Sequence, residues 1–200
     1  RSGSRPRPTR RRPRASRATR RSARNTGADY QNDFIELFNP TANAINLNGL
    51  SVQYASAAGT AWDTTKLPNV LLQPGHYFLI GEASGGANGN ALPTPDWTDN
   101  TNLAATAGKV ALVASANPLS SDCPVGNAII DFVGYGTTAS CSETAPAPAP
   151  SATSSILRKN GGCIDTDNNS ADFTSGNPAA RNSSSPTNNC AAIPPSLNAG

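Results

Sequence analysis

From residue 33 onward, apolar and polar positions alternate in short runs and do not recur at helical spacing. DFIELF (33–38) sets Ile35 and Leu37 against Phe34, Glu36 and Phe38, the period-two pattern of a half-buried strand. Asn39-Pro40 ends it. LSVQY (50–54) repeats the alternation through Leu50, Val52 and Tyr54, directly after an Asn48-Gly49 turn signal. Gln73-Pro74-Gly75 turns the chain into HYFLIGE (76–82). KVALVAS (109–115), NAIIDFVGY (127–135) and SILRK (155–159) are further strands, most of them fenced by glycine, proline or asparagine. No window holds a capped helical repeat of ordinary length; LAATAG (103–108) is a weak trace of one. Many short strands joined by turns predict an antiparallel β-sandwich.

The flanks read differently. SETAPAPAPSAT (142–153) is extended and Pro/Ala-rich, and because SILRK follows it we read it as a loop inside the domain. Beyond Phe173 the chain becomes polar and proline-rich, with Cys190 as its expected tether and residues 191–200 as a frayed tail. At 200 residues the chain has room for one domain with a real core.

Charge divides the chain sharply. Residues 1–24 carry eleven arginines and no acid, whereas the remainder has five basic residues against all thirteen acids, a net of −8. The folded part is therefore acidic and repels phosphates, so attraction to nucleic acid would have to come from the first 24 residues. No methionine occurs, even at position 1, which is expected of a chain that was cleaved, truncated or started at an unusual codon. No apolar run approaches the ~20 residues that span a bilayer.

Cys123, Cys141, Cys163 and Cys190 have loop-like neighbours, with no CxxC and a single histidine in the chain. That pattern disfavours zinc and points to two disulfides, hence an oxidising, extracytoplasmic compartment. The expected pairing is Cys123–Cys141 and Cys163–Cys190, each closing a compact loop in local order.

DFIELFNP, INLNGLSVQYAS, LQPGHYFLIGE, ATAGKVALVAS, IIDFVGYG, SILRKNGGCIDTDNNSADF and NPAARN follow one another in an order that resembles the bacterial lamin tail domain family over roughly residues 25–182. The ordered set carries the resemblance, above all IDFVGYG followed by the arginine-containing strand and DTDNNSADF. The likeness implies an all-β, immunoglobulin-like antiparallel sandwich, here residues 25–190, at a secreted or cell-surface location. It also implies a domain that is no catalyst itself but often sits beside an extracellular nuclease, phosphatase or other hydrolase domain.

The departure from the family lies at the N-terminus, where an apolar strand and a glycine-rich turn are expected. Residues 1–24 instead use only Arg, Ser, Pro, Ala, Thr and Gly, all encoded by G- and C-rich codons. We read them as a disordered segment produced by a frameshift or gene-call artefact. A genuine basic arm that neutralises phosphates is the competing reading.

Catalytic chemistry is sparse. His76 is the one imidazole, no G-x-S-x-G occurs, and no triad can be built. Asp165, Asp167, Asn169 and Asp172 stand at roughly alternate positions and are the calcium candidates. An EF-hand fails, however, with Ser170 at its glycine position and Gly176 at its glutamate position. Capping of backbone N–H groups is the stronger reading of those side chains. Trp62, Trp97, Tyr54, Tyr77 and Tyr135 offer an aromatic platform or, more commonly, core; Trp97 stands apart in a polar loop. The reading is thus a non-catalytic interaction or scaffolding module without cofactor, whose partner is a protein or cell surface. The alternatives are a detached accessory domain of an extracellular nuclease or related phosphoesterase, and nucleic-acid binding through a genuine arginine arm.

Overall fold

The computed structural model describes residues 28–190 and the backbone of residues 14–19. Strands follow in chain order as β1 (Arg14–Thr19), β2 (Asn32–Phe38), β3 (Ile45–Asn46), β4 (Ser51–Ser56), β5 (Asp63–Lys66) and β6 (Leu71–Leu72). Then come β7 (Tyr77–Ser84), β8 (Trp97–Thr98), β9 (Gly108–Val113), β10 (Ile129–Tyr135), β11 (Ser155–Arg158) and β12 (Phe173–Gly176). Two single turns, α1 (Lys159–Gly162) and α2 (Asn169–Asp172), separate the last pair of strands.

The strands make a six-stranded sheet ordered β12-β11-β1-β2-β7-β8 and a four-stranded sheet ordered β10-β9-β4-β5; β3 and β6 form a small ribbon. Pairing is antiparallel except at the edge, where β8 runs parallel to β7 and sets Trp97 opposite Ile80. Ile35 and Leu37 of β2 and Phe78 and Ile80 of β7 pack between the sheets against Val52, Val110, Leu112 and Val133. Burying such side chains is the main stabilising term of the sandwich, about 1.5–3 kcal/mol for each. The loop at 142–153 belongs to the domain as expected: Ala147 bridges Tyr135 and lies in this core.

The half-buried pattern predicted for β2 is not what the structure shows. Phe34, Glu36 and Phe38 are as buried as Ile35 and Leu37, because the outer face of the larger sheet is also covered. Alternation gives the two faces of a strand but not what lies on each.

Residues 14–19, read from sequence as part of a disordered segment, form β1 between β2 and β11. The register sets Ala15 opposite Leu37 and Ala18 opposite Ile35, with an irregularity between Ala15 and Arg17. On the other side Arg17 pairs with Leu157 and Ala18 with Ile156. The physical reason is backbone satisfaction: β2 and β11 each turn a row of N–H and C=O groups toward the gap, and an intervening strand pairs both rows. The remainder of residues 1–24, and the tail at 191–200, lie outside the described residues.

Candidate functional site

The motifs that follow β10 converge on one buried arginine. Arg158 leaves β11, and its Nη2 donates to both carboxylate oxygens of Asp131 on β10, at 2.8 and 2.9 Å. Nη1 donates to Asp165 at 3.3 Å and to the Ile164 carbonyl at 3.4 Å, and the Asp172 carboxylate lies 3.7 Å away. The guanidinium covers the Phe173 ring at 4.5 Å. Burial works against its charge, but Asp131 and Asp165 outweigh that and hold the group above its usual pKa.

Asn169 ties the same region to the smaller sheet. Its Oδ1 accepts from the Gly134 and Glu143 amides, and its Nδ2 donates to the Phe132 carbonyl and the Glu143 carboxyl. Burial, with Asp131 and Asp165 nearby, pushes Glu143 up to about 8. The glycines of IDFVGYG have a matching cause. A Cβ at Gly134 would collide with the Cys141 carbonyl, and Gly136 holds φ +76° against Thr106.

The calcium candidates do not converge. Asp165 faces Arg158, and Asn169 points to β10. Asp172 accepts from the Thr166 amide and hydroxyl inside its own turn, while Asn168 caps α2. Asp167, at φ +55°, is exposed. Of these only Asp165 belongs to the carboxylate group that does come together, with Asp131 and Glu143. Arg158 supplies positive charge beside it.

The outer face of each sheet is covered by a disulfide-pinned segment. On the smaller sheet, Trp62, Ala111, Val113 and Phe132 form a second apolar cluster under the loop closed by Cys123–Cys141. Fully buried Lys109 anchors that loop. Its Nζ donates to the Gly59 and Asp122 carbonyls, to Ser140 and to the Asp122 carboxylate, and lies 5.6 Å from the Trp62 ring. Donation from Lys109 and then Ser140 holds the Asp122 carboxyl below its usual range.

On the larger sheet, residues 177–190 cross as a strap. Arg181 donates through its amide, Nε and Nη2 to the buried carboxylate of Glu36, at 2.7–3.2 Å, and stacks 3.5 Å over Tyr77. Ser183 bonds Asp96, its carbonyl meets His76 Nδ1 at 3.1 Å, and Asn188 bonds Gly75. Cys163–Cys190 closes the end. The tether expected from sequence was Cys190; side chains along the whole strap share that task. The aromatic candidates separate cleanly: Trp62, Tyr54, Tyr77 and Tyr135 are buried, and Trp97 is 39 % exposed on the edge strand.

The lamin tail domain profile matches residues 19–137, from the last residue of β1 to just beyond β10. The chain belongs to the lamin tail domain family. This lamin tail domain is an immunoglobulin-like β-sandwich, and it carries Asp131 inside the matched span and Arg158 beyond it. No curated protein matches the sequence significantly. Among solved structures, a DUF4876 family protein from Bacteroides thetaiotaomicron is similar at TM-score 0.49 and 12 % identity, covering 81 % of this chain and 70 % of that one. Among the described residues no helix of the lamin tail domain is long and apolar enough to cross a membrane. Its two disulfides are compatible with an extracytoplasmic location.

Sequence reasoning missed the roles of Asp131, Arg158, Lys109, Glu36 and Arg181. A lone charge inside an apolar strand was the available signal. It marks a buried ion pair as readily as a solvent-facing position, and only the opposing element decides which.

Proposed function

We propose that this lamin tail domain is a secreted, non-catalytic interaction module. The observation that carries the reading is how its reactive side chains are used. The one imidazole, His76, is engaged with the Ser183 carbonyl. The buried carboxylates and cations hold sheets, turns and covers together. A hydrolytic site needs a base in reach of a nucleophile or of a positioned water, and these groups are spent on structure. The exposed cations among the described residues are Lys66 and Lys159, against exposed Asp63, Asp99 and Asp167 and half-buried Asp29, Asp96, Asp122 and Asp165. That balance disfavours a polyanion as the ligand of the sandwich itself.

The test has two arms. Fractionation of cells expressing the native gene should find the protein outside the cytoplasm with all four cysteines oxidised. The purified domain should not hydrolyse duplex DNA or bis-p-nitrophenyl phosphate above buffer, with or without divalent metal. A reduced cytosolic protein, or turnover abolished by His76→Ala, would overturn the reading.

A further inference from the structure

A cavity of about 390 Å³ opens where four distant parts of the chain meet, lined by Asp29, Tyr30, Asn90, Thr153, Asn177 and Pro178. We propose that it is a sugar-binding subsite that takes a pyranose unit of a neutral oligosaccharide; this deepens the reading of the domain as an interaction module and rests on it.

The lining is held in place by backbone. Tyr30 and Asn90 form a parallel bridge, the Asn90 amide donates to the Asp29 carbonyl at 2.8 Å, and Gln31 donates back to Asn90 at 2.9 Å. The Asp29 amide reaches Ala152 at 3.3 Å, beside Thr153. The Ala180 amide donates to the Tyr30 hydroxyl at 3.4 Å, fixing the strap next to Asn177. Phe34 meets the Tyr30 ring edge-on at 5.7 Å and sets its orientation. A cavity built from four segments keeps its shape before ligand arrives, which lowers the ordering cost of binding.

The chemistry selects the ligand class. Among the described residues, the Asp29 carboxylate, the Asn90 and Asn177 amides and the Thr153 hydroxyl make no side-chain hydrogen bond within the protein. Together they supply a strong acceptor, two paired donor–acceptor groups and a hydroxyl, which matches neighbouring sugar hydroxyls that both donate and accept. Tyr30 and Pro178 add apolar surface for the C–H face of a ring. Other classes fit poorly. Among the described residues no cation lines the cavity to hold a phosphate or carboxylate. One carboxylate in so wide a space cannot close the six to eight short oxygen contacts that calcium takes. The polar lining would leave a hydrophobic ligand facing unpaired groups.

The full chain, labelled with ¹⁵N, would be titrated separately with cellotriose, chitotriose and maltotriose to tens of millimolar. Saturable amide shifts confined to residues 29–31, 90, 152–153 and 177–180 are expected for at least one sugar. Asp29→Ala and, should that variant unfold, exposed Asn177→Ala are each expected to weaken binding by about tenfold, since a hydrogen bond to a charged or well-placed polar group is lost. Trp97→Ala should bind as before. Absence of saturable shifts with all three sugars, or shifts mapping to Trp97 or another face, would overturn the subsite. Cellular location and hydrolysis are measured separately, so the subsite can fail while the module reading stands.

Discussion

Arg158 and Asp131 join the two sheets of the sandwich across its interior, through two hydrogen bonds from one guanidinium nitrogen to both carboxylate oxygens. Arg158 belongs to the larger sheet and Asp131 to the smaller. The motifs IDFVGYG, SILRK and DTDNNSADF supply the two ends of this lock and the turn that encloses it.

Removing the cation should therefore cost far more than a surface substitution. Arg158→Met removes the guanidinium that bonds Asp131 and faces Asp165 and Asp172 in the interior, and we expect a loss of about 3–5 kcal/mol in urea unfolding. Asp131→Asn should cost less, since Asp165 and Asp172 still face the guanidinium. A change under about 1 kcal/mol for Arg158→Met would show that the pair is peripheral to stability.

The strap should behave as a structural cover. Under denaturing, non-reducing conditions the protein should show no free thiol, with peptides linking 123 to 141 and 163 to 190. Loss of the second bridge in Cys163→Ser/Cys190→Ser should destabilise by about 2–5 kcal/mol. Arg181→Ala should cost about 1.5–3 kcal/mol, because two charge-assisted side-chain hydrogen bonds to the buried Glu36 carboxylate are lost. Both variants should also bind a hydrophobic dye as Tyr77 and Phe38 become exposed.

The basic segment invites two truncations. Deletion through residue 13 keeps β1, and its melting temperature should match the full chain. Deletion through residue 19 opens the pairing rows of β2 and β11, so the cooperative melt should be lost or fall steeply. Equal melting of the two would show that β1 is dispensable. Any affinity of the full chain for duplex DNA should be blind to sequence, diminish with the first deletion, and fall with salt by a log–log slope of roughly −0.9 per phosphate contacted.

Buried Glu82 gives a pH signature. Burial, more than the neighbouring Asp99 and Asp33, raises its pKa from 4.5 to about 8, although Thr101 and Thr65 donate to it. Between those values the folded state keeps a proton that the unfolded state has released. Its contribution is then fully present below pH 4.5 and is lost as pH rises through about 8. The slope from one such group reaches about 1.4 kcal/mol per pH unit at most. Glu82→Gln cannot ionise, so its stability should fall less between pH 5 and pH 8 than that of the native protein. Parallel profiles would place the proton elsewhere.

The sequence by itself determined most of the strands, the antiparallel class, the family and the pairing of the cysteines. Those features are local or rest on spacing: alternation in DFIELF and KVALVAS, turn signals at Asn48-Gly49 and Pro74-Gly75, and an ordered set of motifs. Tertiary structure decided what lies on the second face of each sheet. Glu36 looks solvent-facing in DFIELF until the strap, some 145 positions away, brings Arg181 onto it. Lys109 looks exposed until the loop closed by Cys123–Cys141 covers it. Residues 14–19 look like tail until β2 and β11 leave a gap with two unpaired backbone rows. The polar cavity had no sequence signal at all, because its lining comes from four segments that only the folded chain brings together. Burial and pairing are relations between distant elements, and a period along one strand records only that strand's own two faces.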